Sequence, residues 1–293
     1  MHKGWKAGFA ALMTALQVAC SPISLLNLTV PRSGYHLVRD LAYGPDPRQR
    51  LDFYVPDAGS TKMPIMLFFY GGSWQTGTKE TYLALGQAFA SKNIIVAVAD
   101  YRLYPQIRYP TFLEDSARAF AYVRDHVMRY GGDPRRLFLA GHSAGAYNAV
   151  MLAADESYLR DAGADVGQVC GVIGIAGPYN FLPLTDSHLI AMFGGANRSE
   201  TLPVTYIDGK RPHMLLATGT DDATVSPGNS FDLAAKLKSF GSAVQLITYP
   251  GVGHIGIILS LAPGFRARTT LRDDIVRFVE STECKIIEAQ SGL

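Results

Sequence analysis

The stretch Leu139-Ala140-Gly141-His142-Ser143-Ala144-Gly145 decides how this chain is read. Ahead of it, Arg135-Arg136-Leu137-Phe138-Leu139-Ala140 has the composition of a short apolar strand. Behind it, residues 144–154 form a run of small and apolar residues that predicts a helix. A serine on a sharp strand-to-helix turn sits in strained backbone, and glycines on either side, here Gly141 and Gly145, remove the Cβ atoms that would crowd it. Its hydroxyl then projects above the sheet, beside the first N–H groups of the helix, which favour negative charge. That is the placement a nucleophile needs. A serine between glycines is by itself most often a turn, so the strand before it and the helix after it carry the weight.

Outward from this point the chain alternates. Residues 64–70 and 93–100 are continuously apolar, as strands covered on both faces are. Residues 81–91 predict a helix, and residues 112–130 have helical spacing up to Gly131-Gly132. Further on, strands are predicted over 169–176, 213–218 and 244–249, with helices over 231–240 and 269–279. Strands alternating with helices mean an α/β fold with a mostly parallel central sheet flanked by helices. Residues 35–43 and 50–55 alternate around Gly44-Pro45-Asp46-Pro47 and predict an antiparallel pair at one edge. Residues 177–211 are too long for a simple connection and contain Pro178, Pro183, Pro203 and Gly194-Gly195. They predict a small helical cap insertion in a domain spanning 35–285. A surface excursion without a role in binding is the alternative.

A serine nucleophile needs a base, and the base needs an orienting acid. Thr218-Gly219-Thr220-Asp221-Asp222-Ala223-Thr224-Val225 follows one buried strand, and Tyr249-Pro250-Gly251-Val252-Gly253-His254 follows the next, with His254 expected in a flexible loop. In a parallel sheet the C-terminal ends of the strands share one edge, where ligands bind. Ser143, Asp221 or Asp222, and His254 therefore converge, in the order serine, acid, histidine. Tyr70-Gly71-Gly72-Ser73-Trp74 ends another strand, and its glycines let backbone N–H groups face a developing oxyanion. The N–H of Ala144 would be the second contributor. Asp100 and Asp115 are alternative acids, but they precede the nucleophile in the chain. His36, His126, His142, His188 and His213 lack the placement of His254 and read as structural, His142 merely filling the turn.

Together these residues resemble the α/β-hydrolase superfamily, in particular serine carboxylesterases of the hormone-sensitive-lipase-like, bacterial feruloyl-esterase-like and kynurenine-formamidase-like kinds. Tyr70-Gly71-Gly72-Ser73-Trp74, Asp100-Tyr101-Arg102-Leu103 with Tyr109-Pro110, Gly141-His142-Ser143-Ala144-Gly145, Asp222-Ala223-Thr224-Val225 and Gly253-His254 carry the resemblance. It implies a catalytic triad of Ser143, His254 and Asp222, since the family's Asp-x-x-Val spacing selects Asp222 over Asp221. It also implies oxyanion donors from Gly72, Ser73 and Ala144, and neither a metal nor a cofactor. The implied activity is hydrolysis of small-molecule carboxylic esters through an acyl-enzyme. An arylformamidase or other amidase on the same scaffold is the alternative, and a non-catalytic binding protein of this fold is a third. Two positions depart from the family. Tyr70 stands where histidine is common, which puts side-chain support of the oxyanion loop in question. Ser73 replaces a third glycine, which fits the feruloyl-esterase-like and formamidase pattern better than the lipase-like one.

A net charge of +2 with scattered positives excludes a nucleic-acid partner, and 48% apolar residues exclude a disordered chain. At the N-terminus, Lys3 and Lys6 precede an apolar run over 7–16 that ends at Gln17-Val18-Ala19-Cys20-Ser21. This pattern predicts an export signal over 1–20 and is too short for a comfortable membrane span. It resembles a bacterial lipoprotein signal at Ala19-Cys20 and departs from it at Gln17, where leucine is usual. The expectation is a periplasmic protein or one anchored to a membrane through lipidated Cys20, with residues 21–34 as a tether. An ordinary export signal or a retained amphipathic helix are the alternatives. Cys170 reads most simply as a buried small hydrophobe. A disulfide to Cys284 is open in an oxidising compartment, and the spacing of the three cysteines fits no metal site.

Overall fold

The computed structural model describes residue 27 and residues 29–57 and 61–284; the expected signal and Cys20 lie outside the described residues. Its core is an eight-stranded sheet of order β1-β2-β4-β3-β5-β6-β7-β8. The strands are β1 (Tyr35–Ala42), β2 (Arg50–Pro56), β3 (Met63–Phe69), β4 (Ile95–Ala99), β5 (Gly132–His142), β6 (Gly171–Ile175), β7 (His213–Gly219) and β8 (Val244–Tyr249). The first two pair antiparallel at one edge, and β2 also meets β4 antiparallel. Every other pairing is parallel. This is the mostly parallel sheet with an antiparallel edge pair that the alternation of elements predicts.

Among the described residues the helices flanking the sheet are α1 (Leu83–Ala90), α2 (Thr111–His126), α3 (Ala144–Ala154), α4 (Ser157–Asp161), α5 (Ser187–Phe193), α6 (Gly228–Ser239), α7 (His254–Leu259) and α8 (Leu271–Ser281). α3 is buried along its whole length, which explains why apolar residues occupy all its sides, with the amide of Asn148 as the exception. α2 is amphipathic instead. Phe112, Leu113, Ala119, Phe120 and Val123 face the core, while Glu114 and Arg118 face solvent.

Several boundaries differ from the sequence expectations. A 3₁₀ turn over Lys79–Tyr82 precedes α1. α6 begins at Gly228, directly after Pro227, whose ring fixes φ at a helix start. Val30, within the expected tether, is buried in the core, and Asn27 donates its side-chain amide to the carbonyl of Glu80 at 2.9 Å. Cys170 is buried, but it is also bonded to Cys284 in a disulfide with the Cα atoms 4.7 Å apart. That bond ties the end of α8 to the start of β6.

Candidate active site

β5 lies between β3 and β6, with Gly141 opposite Phe69 and His142 opposite Ile175. The chain reverses at its end. Ser143 has φ 54° and ψ −123°, a conformation that costs about 1–3 kcal/mol and survives only where the surroundings impose it. They do so here. The Ser143 N–H donates to the Ile175 carbonyl at 2.9 Å, and its carbonyl accepts from Tyr147 at 3.1 Å. Gly145 is required by contact, because a Cβ there would run into the backbone of Phe69 and Tyr70. The turn thus presents Ser143 at the C-terminal edge of the sheet, 8% exposed.

The other two expected residues reach the same place. Nε2 of His254 lies 2.9 Å from Oγ of Ser143, and Nδ1 of His254 lies 2.8 Å from Oδ2 of Asp222. Oδ1 of Asp222 accepts the N–H groups of Thr224 and Val225 at 2.9 and 2.8 Å, so backbone fixes the orientation of the carboxylate. Asp221 turns away and accepts from the Thr220 hydroxyl at 2.8 Å. His254 is not in a loop. It is the first residue of α7, with extended Gly253 as N-cap, so a helix rather than loop backbone carries it. Such a chain of contacts can move a proton from the serine hydroxyl to the imidazole while a carboxylate faces the imidazolium.

The loop after β3 passes beside the serine. Gly72, Ser73 and Trp74 all have positive φ, and Ser73 and Trp74 line a cavity of about 270 Å³ together with Ser143 and Ala144. The backbone N–H groups of Ser73 and Ala144 have no partner among the described residues. Gly72 lies just outside the cavity lining, and its carbonyl accepts from Gln75 and Thr76 at 2.9 and 3.1 Å. Residues 177–211 supply much of the opposite wall through Phe181, Leu189 and Phe193, of which Leu189 and Phe193 belong to α5. Thr224 and Asn229 make the far side polar.

The sequence reading missed Asn148. Its side-chain oxygen accepts the indole N–H of Trp74 at 2.9 Å, and its amide donates to Ser116 at 3.2 Å, fixing one cavity wall. An amide interrupting an otherwise small and apolar helix was the available signal, because a fully buried polar group needs partners. The alternative acids belong elsewhere. Asp115 forms an ion pair with Arg102 at 2.7 Å and accepts from Gln49 at 2.7 Å. Asp100 binds Tyr70 and the backbone of Lys79.

The BD-FAE family model matches residues 51–237. A probable isoprenylcysteine alpha-carbonyl methylesterase of Arabidopsis thaliana is 30% identical over 244 residues, which are 75% of this chain and 51% of that protein. The chain thus spans about half the length of that relative. A kynurenine formamidase of Salmo salar is 25% identical over 256 residues, covering 81% of this chain and 84% of that one. Among solved structures, an esterase of Pyrobaculum calidifontis superposes with a TM-score of 0.71 at 21% identity, covering 92% of this chain and 97% of that one. A truncated carbohydrate esterase from gut microbiota gives a TM-score of 0.73 at 19% identity, covering 85% and 97%. At these identities the structural likeness speaks for the fold.

Proposed function

The chain belongs to the BD-FAE family of α/β-hydrolases, and on that premise we propose that it hydrolyses carboxylic esters of small molecules through an acyl-enzyme on Ser143. The observation that carries this reading is the continuous contact from Ser143 to His254 to Asp222 at 2.9 and 2.8 Å beside an open cavity.

His254 takes the proton of Ser143 as Oγ bonds to the acyl carbon. The carbonyl oxygen becomes an oxyanion held by the N–H groups of Ser73 and Ala144, with Gly72 as the neighbouring donor of the same loop. Removing one such donor typically costs about 10²- to 10³-fold in turnover. The C–O bond to the alcohol then breaks, and His254 returns its proton to the leaving oxygen. Water, deprotonated by His254, adds to the acyl-enzyme, and collapse releases the acid and restores the serine. Asp222 holds the tautomer of His254 that presents a bare Nε2 to Ser143. The apolar wall of Trp74, Phe181 and Phe193 suits an apolar group of the ester.

The test is hydrolysis of a short p-nitrophenyl ester together with labelling by a fluorophosphonate. Wild type should turn over and label, and Ser143→Ala should do neither. Equal rates in the two proteins sink the reading, and an unlabelled wild type would leave a binding protein of this fold. The relative named as a kynurenine formamidase favours one second reading, cleavage of an arylformamide at the same serine. An ester panel run beside N-formylkynurenine separates the two.

We also infer export. The N-terminal pattern of Lys3, Lys6 and the apolar run up to Cys20 supports it, as does the Cys170–Cys284 disulfide, a bond that persists in oxidising compartments. Mass spectrometry of the protein from its host tests this. A mature N-terminus at or near Cys20, with acyl mass on the cysteine, is the expected result, and an intact Met1 overturns it.

A further inference from the structure

We propose that His142 is a positioning residue for His254, so that the strand end which presents the nucleophile also sets the base. This inference rests on the serine-hydrolase reading above. His142 is the last residue of β5, directly before Ser143, and is 3% exposed. Its Nε2 lies 3.1 Å from the backbone carbonyl of His254. A carbonyl only accepts, so Nε2 carries the proton and His142 is the donor. Its ring also lies against the ring of His254, with centroids 4.8 Å apart and planes at 38°. His254 is therefore held at its backbone and one ring face by His142, and at its two ring nitrogens by Asp222 and Ser143.

The arrangement matters because β5 is a rigid reference, hydrogen-bonded on both sides by β3 and β6. Any small displacement of that strand end moves Ser143 and the grip on His254 together. Misplacing reacting groups by about 1 Å can cost on the order of 10²-fold in rate. The tautomer matters too. With the proton on Nε2, Nδ1 of His142 is a bare lone pair that has no partner among the described residues. A second proton there would have no acceptor and would place a positive charge beside the imidazolium that His254 becomes in each turnover. Burial first, and then the charge of His254, push the pKa of His142 down to about 3, in keeping with a ring that stays neutral while its neighbour cycles.

The test compares wild type, His142→Leu and His142→Gln. Gln places an amide N–H near the position of the imidazole Nε2, whereas Leu has no donor. In His142→Leu, kcat for p-nitrophenyl acetate and the rate of fluorophosphonate labelling should fall about 10- to 100-fold with KM within about threefold. His142→Gln should recover most of that loss. Thermal melts identify any loss of folded protein. Nitrogen-15 spectra of histidine-labelled wild type should show His142 as the neutral Nε2–H tautomer, a readout that needs no variant. A folded His142→Leu that labels at the wild-type rate overturns the proposal. So does a His142→Gln as slow as His142→Leu, or a wild-type His142 protonated on Nδ1. A wild type that does not label at all defeats the serine-hydrolase reading instead.

Discussion

The phenol of Tyr70 donates to Oδ1 of Asp100 at 2.8 Å, joining the end of β3 to the end of β4. This contact supports the loop that follows Tyr70. Arg48 donates to the same phenol at 2.6 Å and to the Gly77 carbonyl at 2.8 Å, and Asp100 also accepts the backbone N–H of Lys79 at 2.9 Å. The phenol of Tyr101 donates to the Tyr70 carbonyl at 2.7 Å. Both ends of the loop that carries Ser73 are thereby tied to one buried cluster.

Tyr70→Phe keeps the ring stacking on Tyr101 and Tyr82 and removes only the hydroxyl. Asp100 and Arg48 each lose a partner in a largely buried site, so stability should fall by about 1–3 kcal/mol in urea unfolding. The loop loses its tie, so kcat should fall about tenfold with KM little changed. A variant that is less stable but has wild-type kcat would show that the loop holds its shape without the phenol.

Asp222→Asn and Asp221→Asn make a matched pair. Asp222 faces Nδ1 of His254, whereas Asp221 is exposed and bonded to Thr220. An amide at 222 can donate to His254 and favour the wrong tautomer, so kcat should fall on the order of 10³- to 10⁴-fold. Asp221→Asn should stay within about twofold. Equal losses in the two variants would remove Asp222 from the assignment.

The three residues of this chain of contacts were legible because each follows a strand whose end is marked. Ser143 and Asp222 follow the buried apolar runs of β5 and β7, and His254 follows β8, an edge strand only partly buried, whose end is marked by the turn residues Pro250 and Gly251. Other features were not. Gly251 and Gly253 disguise the start of α7, a helix only six residues long. α5 has seven residues among prolines, too few for a period to show, although Asp186 caps it through the N–H groups of His188 and Leu189. The placement of β4 between β2 and β3, and the pairing of Cys170 with Cys284, depend on tertiary geometry. His142 looked structural for the same reason, since its partner carbonyl is 112 residues away.

The disulfide closes a separation of 114 residues, which in the chain-entropy account corresponds to about 5 kcal/mol. Cys284→Ser should lower stability by about 2–5 kcal/mol. It should leave ester turnover at room temperature unchanged. Cys170 precedes the start of β6, whereas Ile175 at the other end of that strand accepts the N–H of Ser143. Urea unfolding and kcat measured on the same preparation check both halves, and a loss of kcat in folded protein would contradict the separation.

His142 also predicts a pH dependence of stability that can be isolated by substitution. Its folded pKa is pushed down to about 3, while in an unfolded chain histidine titrates near 6.5. Between those values the unfolded state binds a proton that the folded state refuses. Stability from this group is therefore complete above about pH 6.5 and is lost as pH falls through the window, by about 1.4 kcal/mol per unit. His142→Gln has no imidazole to protonate and should lack this component, whatever its stability at pH 7. Carboxylates and the remaining histidines are common to both proteins and cancel in the comparison. Lowering the pH from 7 to 5 should thus cost wild type about 2 kcal/mol more than the variant in urea unfolding. Parallel stability curves would mean that His142 takes up its proton in the folded protein as readily as in the unfolded chain, and so carries charge beside His254.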